Sequence, residues 1–275
     1  WAADLTADSK PRVLEPDDEC ELLLWVGCWG AFDERGQKVT RSLAALLARA
    51  KVNYAVLGAQ EQCTGDSARR LGEEGLFQQM AVANIDKLRQ HGIKKIVTAC
   101  PHCLNSLSNE YTDFGADFEV IHHSQLISEL VDEGRLVLEQ NTAGSKVQRS
   151  VTYHDPCYLG RHNGVFEQPR ELLSALPSTT LTEMAASREL SRCCGAGGSN
   201  AWFDLGLGKG MNTARYGQAA ETGAQIVATS CPFCLAMLDE AGSALDAPER
   251  IIVKDIAELV EDVALGYEDH RSKNP

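Results

Sequence analysis

The stretch Val97-Thr-Ala-Cys100-Pro-His-Cys103-Leu104 recurs as Ala228-Thr-Ser-Cys231-Pro-Phe-Cys234-Leu235, 131 residues further along the chain. The repeat extends outward from that pair. Cys63-Thr64-Gly65 returns as Cys193-Cys194-Gly195 at an offset of 130, and Cys28 returns as Cys157 at an offset of 129. Self-similarity at a fixed period marks a duplicated domain. A chain of 275 residues agrees with two domains, because single hydrophobic cores seldom grow past roughly 250 residues. Of the ten cysteines, the duplication leaves two without a counterpart: Cys20, and Cys194, opposite which the first half carries Thr64.

Each half reads as alternating strands and helices. In the first, the apolar run Leu22 to Gly27 predicts a buried strand closed by Cys28. A helical pattern spans Val39 to Ala50, a strand follows at Tyr54 to Leu57, and Cys63 lies in a polar loop. Apolar spacing predicts a helix over Leu76 to Gln90 ending at Gly92, then a strand Lys95 to Thr98 that delivers Cys100, with Pro101 suited to a first helical position. Strand Phe118 to Ile121 and helix Ser124 to Val131 complete the half. In the second, Val151 to His154 leads to Cys157, Gln225 to Thr229 leads to Cys231, and Arg250 to Val253 precedes a helix from Asp255 to Val260. The expected organisation is a polar linker over 1–19 containing Pro11 and Pro16, a first domain over 20–145, a second over 146–265 and a polar tail over 266–275. Every cysteine group is expected just after a strand, the edge where open α/β sheets gather their ligands.

Composition narrows the function classes. At 44% hydrophobic and 24% charged the chain is ordinary globular protein. Its net charge of −13 has the wrong sign for neutralising a phosphate backbone, so nucleic acid is not an expected partner. The longest apolar run, about Leu22 to Phe32, falls short of the roughly 20 residues a bilayer span needs. Residue 1 is Trp, without a charged and then apolar leader, and the chain is expected to begin inside a longer protein.

The cysteines carry the chemistry. A Cys-x-x-Cys at a helix start puts two sulfurs on one side of one turn, where N-terminal amides favour thiolate charge. Alone, the motif is shared by zinc knuckles and redox pairs. Here it sits with distant cysteines at matched spacings, twice, which points to a metal centre in each half. The ligand candidates are Cys28, Cys63, Cys100 and Cys103 in the first half, and Cys157, Cys193, Cys194, Cys231 and Cys234 in the second. Four ligands satisfy zinc, whereas the second half offers five. A disulfide framework is not expected in a chain large enough to build its own core, and Cys20 reads as a spare thiol.

Around these lie weaker candidates. Gly195, Gly197 and Gly198 permit positive φ and amides aimed at a cluster sulfur. They do not form a G-x-G-x-x-G nucleotide loop, and Gly206, Gly208 and Gly210 read as a loop before a helix. His154, three residues before Cys157, and His162, five after it, are within reach of the second centre or could pass a proton to a reducing substrate. His122 and His123 at a strand end should place one ring in the core and one at the surface. Arg69 and Arg70 beside Asp66 read as a solvated ion-pair cluster, and the acidic stretches near Glu129 and Asp132, and near Glu258 and Asp262, as solvated faces.

One Cys, about 35 residues, Cys-Cys-Gly, about 35 residues and Cys-Pro-x-Cys together resemble the cysteine-rich CCG domain. That domain occurs in tandem in the B subunit of heterodisulfide reductase and in iron-sulfur subunits of glycolate, lactate and glycerol-phosphate oxidoreductases. Trp25-Val-Gly-Cys28, Cys63-Thr-Gly-Asp-Ser-Ala-Arg-Arg70, Tyr153-His-Asp-Pro-Cys-Tyr-Leu-Gly-Arg-His162 and Cys193-Cys-Gly-Ala-Gly-Gly198 are most similar to a fused iron-sulfur reductase branch, linked to electron flow from electron-transfer flavoprotein to menaquinone. The resemblance implies an α/β fold of two pseudo-symmetric Rossmann-like CCG domains with cysteine clusters in loops after the strands. It implies a noncubane [4Fe-4S] cluster on Cys157, Cys193, Cys194, Cys231 and Cys234, with Gly195 beside it. Because Thr64 replaces a cysteine in the first half, a cubane [4Fe-4S] cluster or zinc is implied there. The implied partners are a flavoprotein or ferredoxin-type donor and a quinone or disulfide acceptor, with membrane attachment through an upstream segment; because cysteine-rich clusters need reducing surroundings, a cytoplasmic location is expected, at the cytoplasmic face of the membrane if the chain is so attached. Three readings follow: a redox protein whose second cluster faces substrate, with His154 or His162 as proton donor, a pure electron relay, and a zinc-stabilised binding module.

Overall fold

The computed structural model describes residues 1–15, 18, 20–138, 148–203, 210–244 and 250–265. Two parallel sheets organise them. The first contains β1 (Arg12–Val13), β2 (Leu22–Trp25), β3 (Tyr54–Val56), β4 (Lys95–Thr98) and β5 (Glu119–His122), in the order β1-β3-β2-β4-β5. The second contains β6 (Arg149–Tyr153), β7 (Thr179–Leu181), β8 (Ile226–Thr229) and β9 (Ile252–Asp255), in the order β7-β6-β8-β9. Without β1 the two orders are the same: the first strand of each half sits between the second and the third. All pairings are parallel, for example Leu23 with Ile96 and Thr152 with Val227. The fold is the two-unit Rossmann-like α/β arrangement that the repeat and the resemblance imply.

The helices are α1 (Gly27–Phe32), α2 (Glu34–Arg49), α3 (Asp66–Arg70), α4 (Glu74–Gln90), α5 (Pro101–Asn105), α6 (His123–Asp132), α7 (Glu167–Ala175), α8 (Met211–Ala220), α9 (Pro232–Ser243) and α10 (Ile256–Ala264). Parallel strands covered on both faces tend to read as apolar runs, as β2 and β3 do here. In β2, Leu22 and Leu24 face one core while Leu23 and Trp25 face another. The first of these cores is shared by both halves, joining Leu43, Leu46, Leu126 and Leu130 to Val151, Leu172, Leu173 and Leu259. Its helices pair as a pseudo-two-fold requires: α2 packs on α10 and α6 on α7, each helix meeting the counterpart of the other helix of its own half. The second core lies under α4, through Phe77, Ala81, Ile85 and Leu88, and runs on to Cys100, Cys103, Cys194, Cys231 and Cys234.

A buried polar chain crosses the shared core. His122 and Asp255 end equivalent strands and cap equivalent helices. The His122 Nδ1 accepts from Ser124, its Nε2 donates to the His123 Nδ1 at 3.2 Å, and the His123 Nε2 donates to Asp255 Oδ1 at 2.8 Å. Both rings are fully buried, which corrects the expectation of one core and one surface histidine. The helix layer of the other half covers this strand end, and no single-half reading contains that layer. Asp255→Ala removes a cap worth about 1 kcal/mol and leaves the His123 N–H unpaired at about 1–3 kcal/mol. A total loss of about 2–4 kcal/mol is therefore expected from the urea midpoint, with Asp255→Asn markedly milder.

Other local expectations shift for identifiable reasons. Cys28 does not close a strand but lies in α1, because Gly27 at φ +74° turns the chain into a short helix at once. Helix α2 starts at Glu34 rather than Val39 because the Asp33 side chain caps it at the Gly36 amide, 2.8 Å away. Part of the stretch expected to be linker is folded: β1 pairs with β3, and Leu14 beside it is fully buried. Glu258 and Asp262 are not simply solvated, since Glu258 forks onto Arg35 and Asp262 meets Lys254 and Arg149. Helices α7 and α8 and strand β7 are not among the elements expected from the sequence; α7 and β7 are short, and α8 is largely polar. Pro16, Gly206, Gly208, the expected domain boundary at 145/146 and the expected tail over 266–275 lie outside the described residues. Among the described residues no helix is long and apolar enough to cross a membrane.

Candidate metal centres

In each half the chain leaves its first strand toward one side of the sheet and its third toward the other. This leaves a crevice between β2 and β4, and between β6 and β8, at the carboxyl ends of the strands. The cysteines line these crevices. Cys28 follows β2 on α1, and Cys157 follows β6. Cys100 and Cys231 are the N-caps of α5 and α9, each with proline at the next position, so Cys103 and Cys234 return one turn later on the same side. Cys63 and Cys193 arrive from longer loops, behind short 3-10 turns rather than directly behind a strand.

In the first half, the Cys28 thiol bonds to Cys63 and holds it down to about 6, assisted by the Gly65 amide 3.4 Å from its sulfur. Cys100 is lowered by the hydrogen bond from Cys103, which is raised in turn by the same contact and by burial. The Glu61 carboxylate, which sequence reasoning missed, accepts from the amides of Val26 (3.0 Å) and Gly27 (2.6 Å) and so anchors the turn carrying Cys28. Burial lifts that carboxyl to about 7. The four sulfurs line a small pocket of about 20 Å³ that Asp66, His102 and Phe233 also border.

The second half holds a continuous chain of thiol contacts: Cys157 to Cys193, Cys193 to Cys194, Cys194 to Cys234, and Cys234 to Cys231. The Cys194 and Cys234 sulfurs are 3.2 Å apart. Hydrogen bonds from Cys157 and Cys194, then from the amides of Gly195 and Gly197, hold Cys193 far below the ordinary thiol range. The Gly195 amide is 3.3 Å from that sulfur. Its φ of +99° is a conformation that glycine adopts without strain, and a Cβ there would meet Met211 at 3.1 Å. Thr64 fills in the first half the slot that Cys194 fills in the second: its Oγ1 faces Cys103 at 3.9 Å as Cys194 faces Cys234. All ten cysteines are free thiols. Sulfurs this close and unbridged repel one another once ionised, and a bound cation relieves that repulsion, so the donor set fits a thiolate-ligated metal centre.

The histidines separate into different environments. His154 is buried, its Nδ1 accepts from Arg215 Nε at 2.9 Å, and burial with the Arg215 charge takes it down to about 3. His162 is exposed and stacks on Tyr158, ring centroids 4.4 Å apart. Tyr158 stacks in turn on His102 at 3.9 Å, and His102 meets Phe233, which meets Trp29 at 4.7 Å. These rings come from the residues next to Cys28 and Cys157 and from inside both Cys-Pro-x-Cys turns, so the two centres face each other across an aromatic layer. His102 was missed by sequence reasoning. Its Nδ1 donates to Asp66 at 2.9 Å, and this partner raises it to about 9 against the opposing effect of burial. Asp66 also bonds Arg70, and Arg70 bonds Glu110, so the expected solvated cluster is a half-buried network beside the first centre.

The chain matches the family described as "CCG: Cysteine-rich domain" over residues 22–108 and 151–239. It is 42% identical over 265 residues to the "Probable iron-sulfur-binding oxidoreductase FadF" of Bacillus subtilis, covering 96% of this chain and 37% of that protein. It is 40% identical over 256 residues to the "EtfAB:quinone oxidoreductase" of Syntrophomonas wolfei, covering 90% of this chain and 35% of the relative. Against the D subunit of the dihydromethanophenazine:CoB--CoM heterodisulfide reductase of Methanosarcina barkeri it is 33% identical over 262 residues, covering 93% of this chain and 62% of that relative. The chain thus spans little more than a third of the length of the first two.

Proposed function

The chain belongs to the CCG cysteine-rich domain family, and on that premise we propose that it is the cluster-bearing unit of an iron-sulfur oxidoreductase, passing electrons from a flavoprotein or ferredoxin-type donor to a quinone or disulfide acceptor. The continuous contact of five free thiols in the second half carries this reading. Tetrahedral zinc has no use for a fifth sulfur, and a noncubane [4Fe-4S] cluster on Cys157, Cys193, Cys194, Cys231 and Cys234 does. The first half supplies four thiols and Thr64, suiting a cubane [4Fe-4S] cluster, with zinc as the other occupant of a four-sulfur set. Relatives named for EtfAB, quinone and heterodisulfide support both classes of acceptor.

Bound there, iron-sulfur clusters supply one-electron transfer at potentials set by ligands, hydrogen bonds and burial. The protein's part is to hold the thiolates, to aim the Gly65 and Gly195 amides at Cys63 and Cys193, and to keep water off Cys194, Cys231 and Cys234, which are buried. We place the acceptor at the second centre. The small pocket at the first centre favours a second reading, in which the acceptor docks over its mouth and His102, backed by Asp66, holds a proton for it. His162 lies at the solvent end of the same ring stack. Thiolate clusters need reducing surroundings, which points to the cytoplasmic side, with any membrane attachment supplied by sequence outside this chain.

Anaerobic purification followed by iron, zinc and acid-labile sulfide analysis tests the assignment. About eight irons per chain with matching sulfide is the expected result. About four irons with one zinc would make the first centre structural, and zinc alone would defeat the redox reading. A quinone or disulfide analogue that perturbs the first-centre spectrum and leaves the second unchanged would move the acceptor site to the mouth of that pocket.

A further inference from the structure

Of the buried polar atoms, the His154 Nε2 stands out. It is enclosed and has no hydrogen-bond partner among the described residues. A ring nitrogen of His154 and the sulfurs of Cys194 and Cys234 lie within 4.8 Å of one another. That proximity alone would suit a histidine ligand to metal. The partner held by Nδ1 excludes it. Arg215, fully buried, donates from Nε to the His154 Nδ1 at 2.9 Å. A guanidinium is always protonated and has only donors to offer, so Nδ1 is an acceptor and the ring proton resides on Nε2. Coordination through Nε2 would require an imidazolate.

Arg215 is itself held from several directions. Its Nη1 donates to the Ala186 carbonyl and to Gln218, and its Nη2 to the Ser191 hydroxyl, which in turn donates to the Asp155 carbonyl. The guanidinium therefore has no freedom to turn away and release Nδ1. His154 leaves β6 at its carboxyl end and Arg215 comes from α8, so the ring is clamped between the strand that delivers Cys157 and a helix packed on α9.

Building on the iron-sulfur reading, we infer that His154 is neither a ligand nor a proton donor but a fixed N–H donor to a sulfur of the second centre, its tautomer set by Arg215. No bond forms or breaks. The Nε2–H is retained in both oxidation states, and donation to sulfur stabilises the more negative, reduced state. His154 thereby raises the potential of this centre relative to one lacking the hydrogen bond.

The test uses the full-length protein with iron and labile sulfide verified, labelled with ¹⁵N-histidine, and pulsed EPR of the second centre in its paramagnetic state. A weak ¹⁵N coupling that disappears in His154→Gln is expected. In redox titrations the second-centre midpoint should move to more negative potential in His154→Leu and return most of the way in His154→Gln, which keeps an N–H donor, while the first centre stays unmoved. A coupling of the size of directly bonded nitrogen in the wild type makes His154 a ligand and overturns the inference, with no variant required to fold. Iron and sulfide present with no coupling overturns it too, and leaves the iron-sulfur reading standing. A preparation with neither iron nor sulfide takes both down.

Discussion

Cys194→Ser is expected to remove the second centre's spectroscopic signature and to lower bound iron from about eight to about four per chain, leaving the first centre intact. Cys194 is the middle link of the thiol chain, touching Cys193 on one side and Cys234 on the other. It is buried, so no solvent ligand can replace it. A serine hydroxyl in the same place is a harder, far less acidic donor than a thiol and a poor match for iron-sulfur chemistry. The first half offers the reciprocal experiment. Thr64→Cys puts a thiol into a buried slot already facing the Cys103 sulfur, and the first centre should then give a signal like that of the second. Retention of an unchanged second-centre signal in Cys194→Ser would defeat the five-thiolate assignment.

Arg170→Ala is expected to cost about 3–5 kcal/mol, the range for removing one partner of a buried ion pair. The guanidinium forks onto Asp155 at 2.7 and 3.0 Å and onto Glu183 at 2.6 and 2.9 Å, and it also donates to the Phe166 carbonyl. Asp155 is 3% exposed, so losing Arg170 strands its charge. The carboxylate would keep the Arg188 amide, 2.8 Å away, as a donor. Because Asp155 sits two residues before Cys157, the variant should also lose iron from the second centre before the first. Arg170→Lys should recover part of the stability, since one ammonium cannot make both forks. Truncating the more exposed Arg188 side chain, paired with the exposed Glu167, should change stability by about 0.5 kcal/mol or less. Chemical denaturation of the cluster-free and loaded protein checks both effects. An Arg170→Ala loss below about 1 kcal/mol would mean that Asp155 finds water or another donor.

Much of this molecule was legible in one dimension. The offset of about 130 residues announced two like units, and the apolar runs before Cys28, Cys100, Cys157 and Cys231 announced the strands that precede them. Both signals are short-range: a strand buried on two faces is mostly apolar, and a Cys-Pro-x-Cys turn brings its sulfurs together within one helical turn whatever surrounds it. The missing cysteine at Thr64 was equally plain, because a repeat exposes its own exceptions. The elements that escaped, β1, β7, α7 and α8, are short or polar and owe their form to neighbours.

What only tertiary structure decided are the pairings between distant charges and rings. His154 and His162 lie eight residues apart around one cysteine and look alike in the sequence, yet one is clamped by Arg215 inside the protein and the other stacks on Tyr158 in solvent. Asp66 and His102, 36 positions apart, meet beside the first centre, and His123 finds Asp255 132 positions away across the shared core. A charge or an imidazole is ambiguous along the chain because its state depends on what desolvates it and what faces it. The shared core between the two halves and the packing of helices against sheets settle both, and no local spacing encodes them.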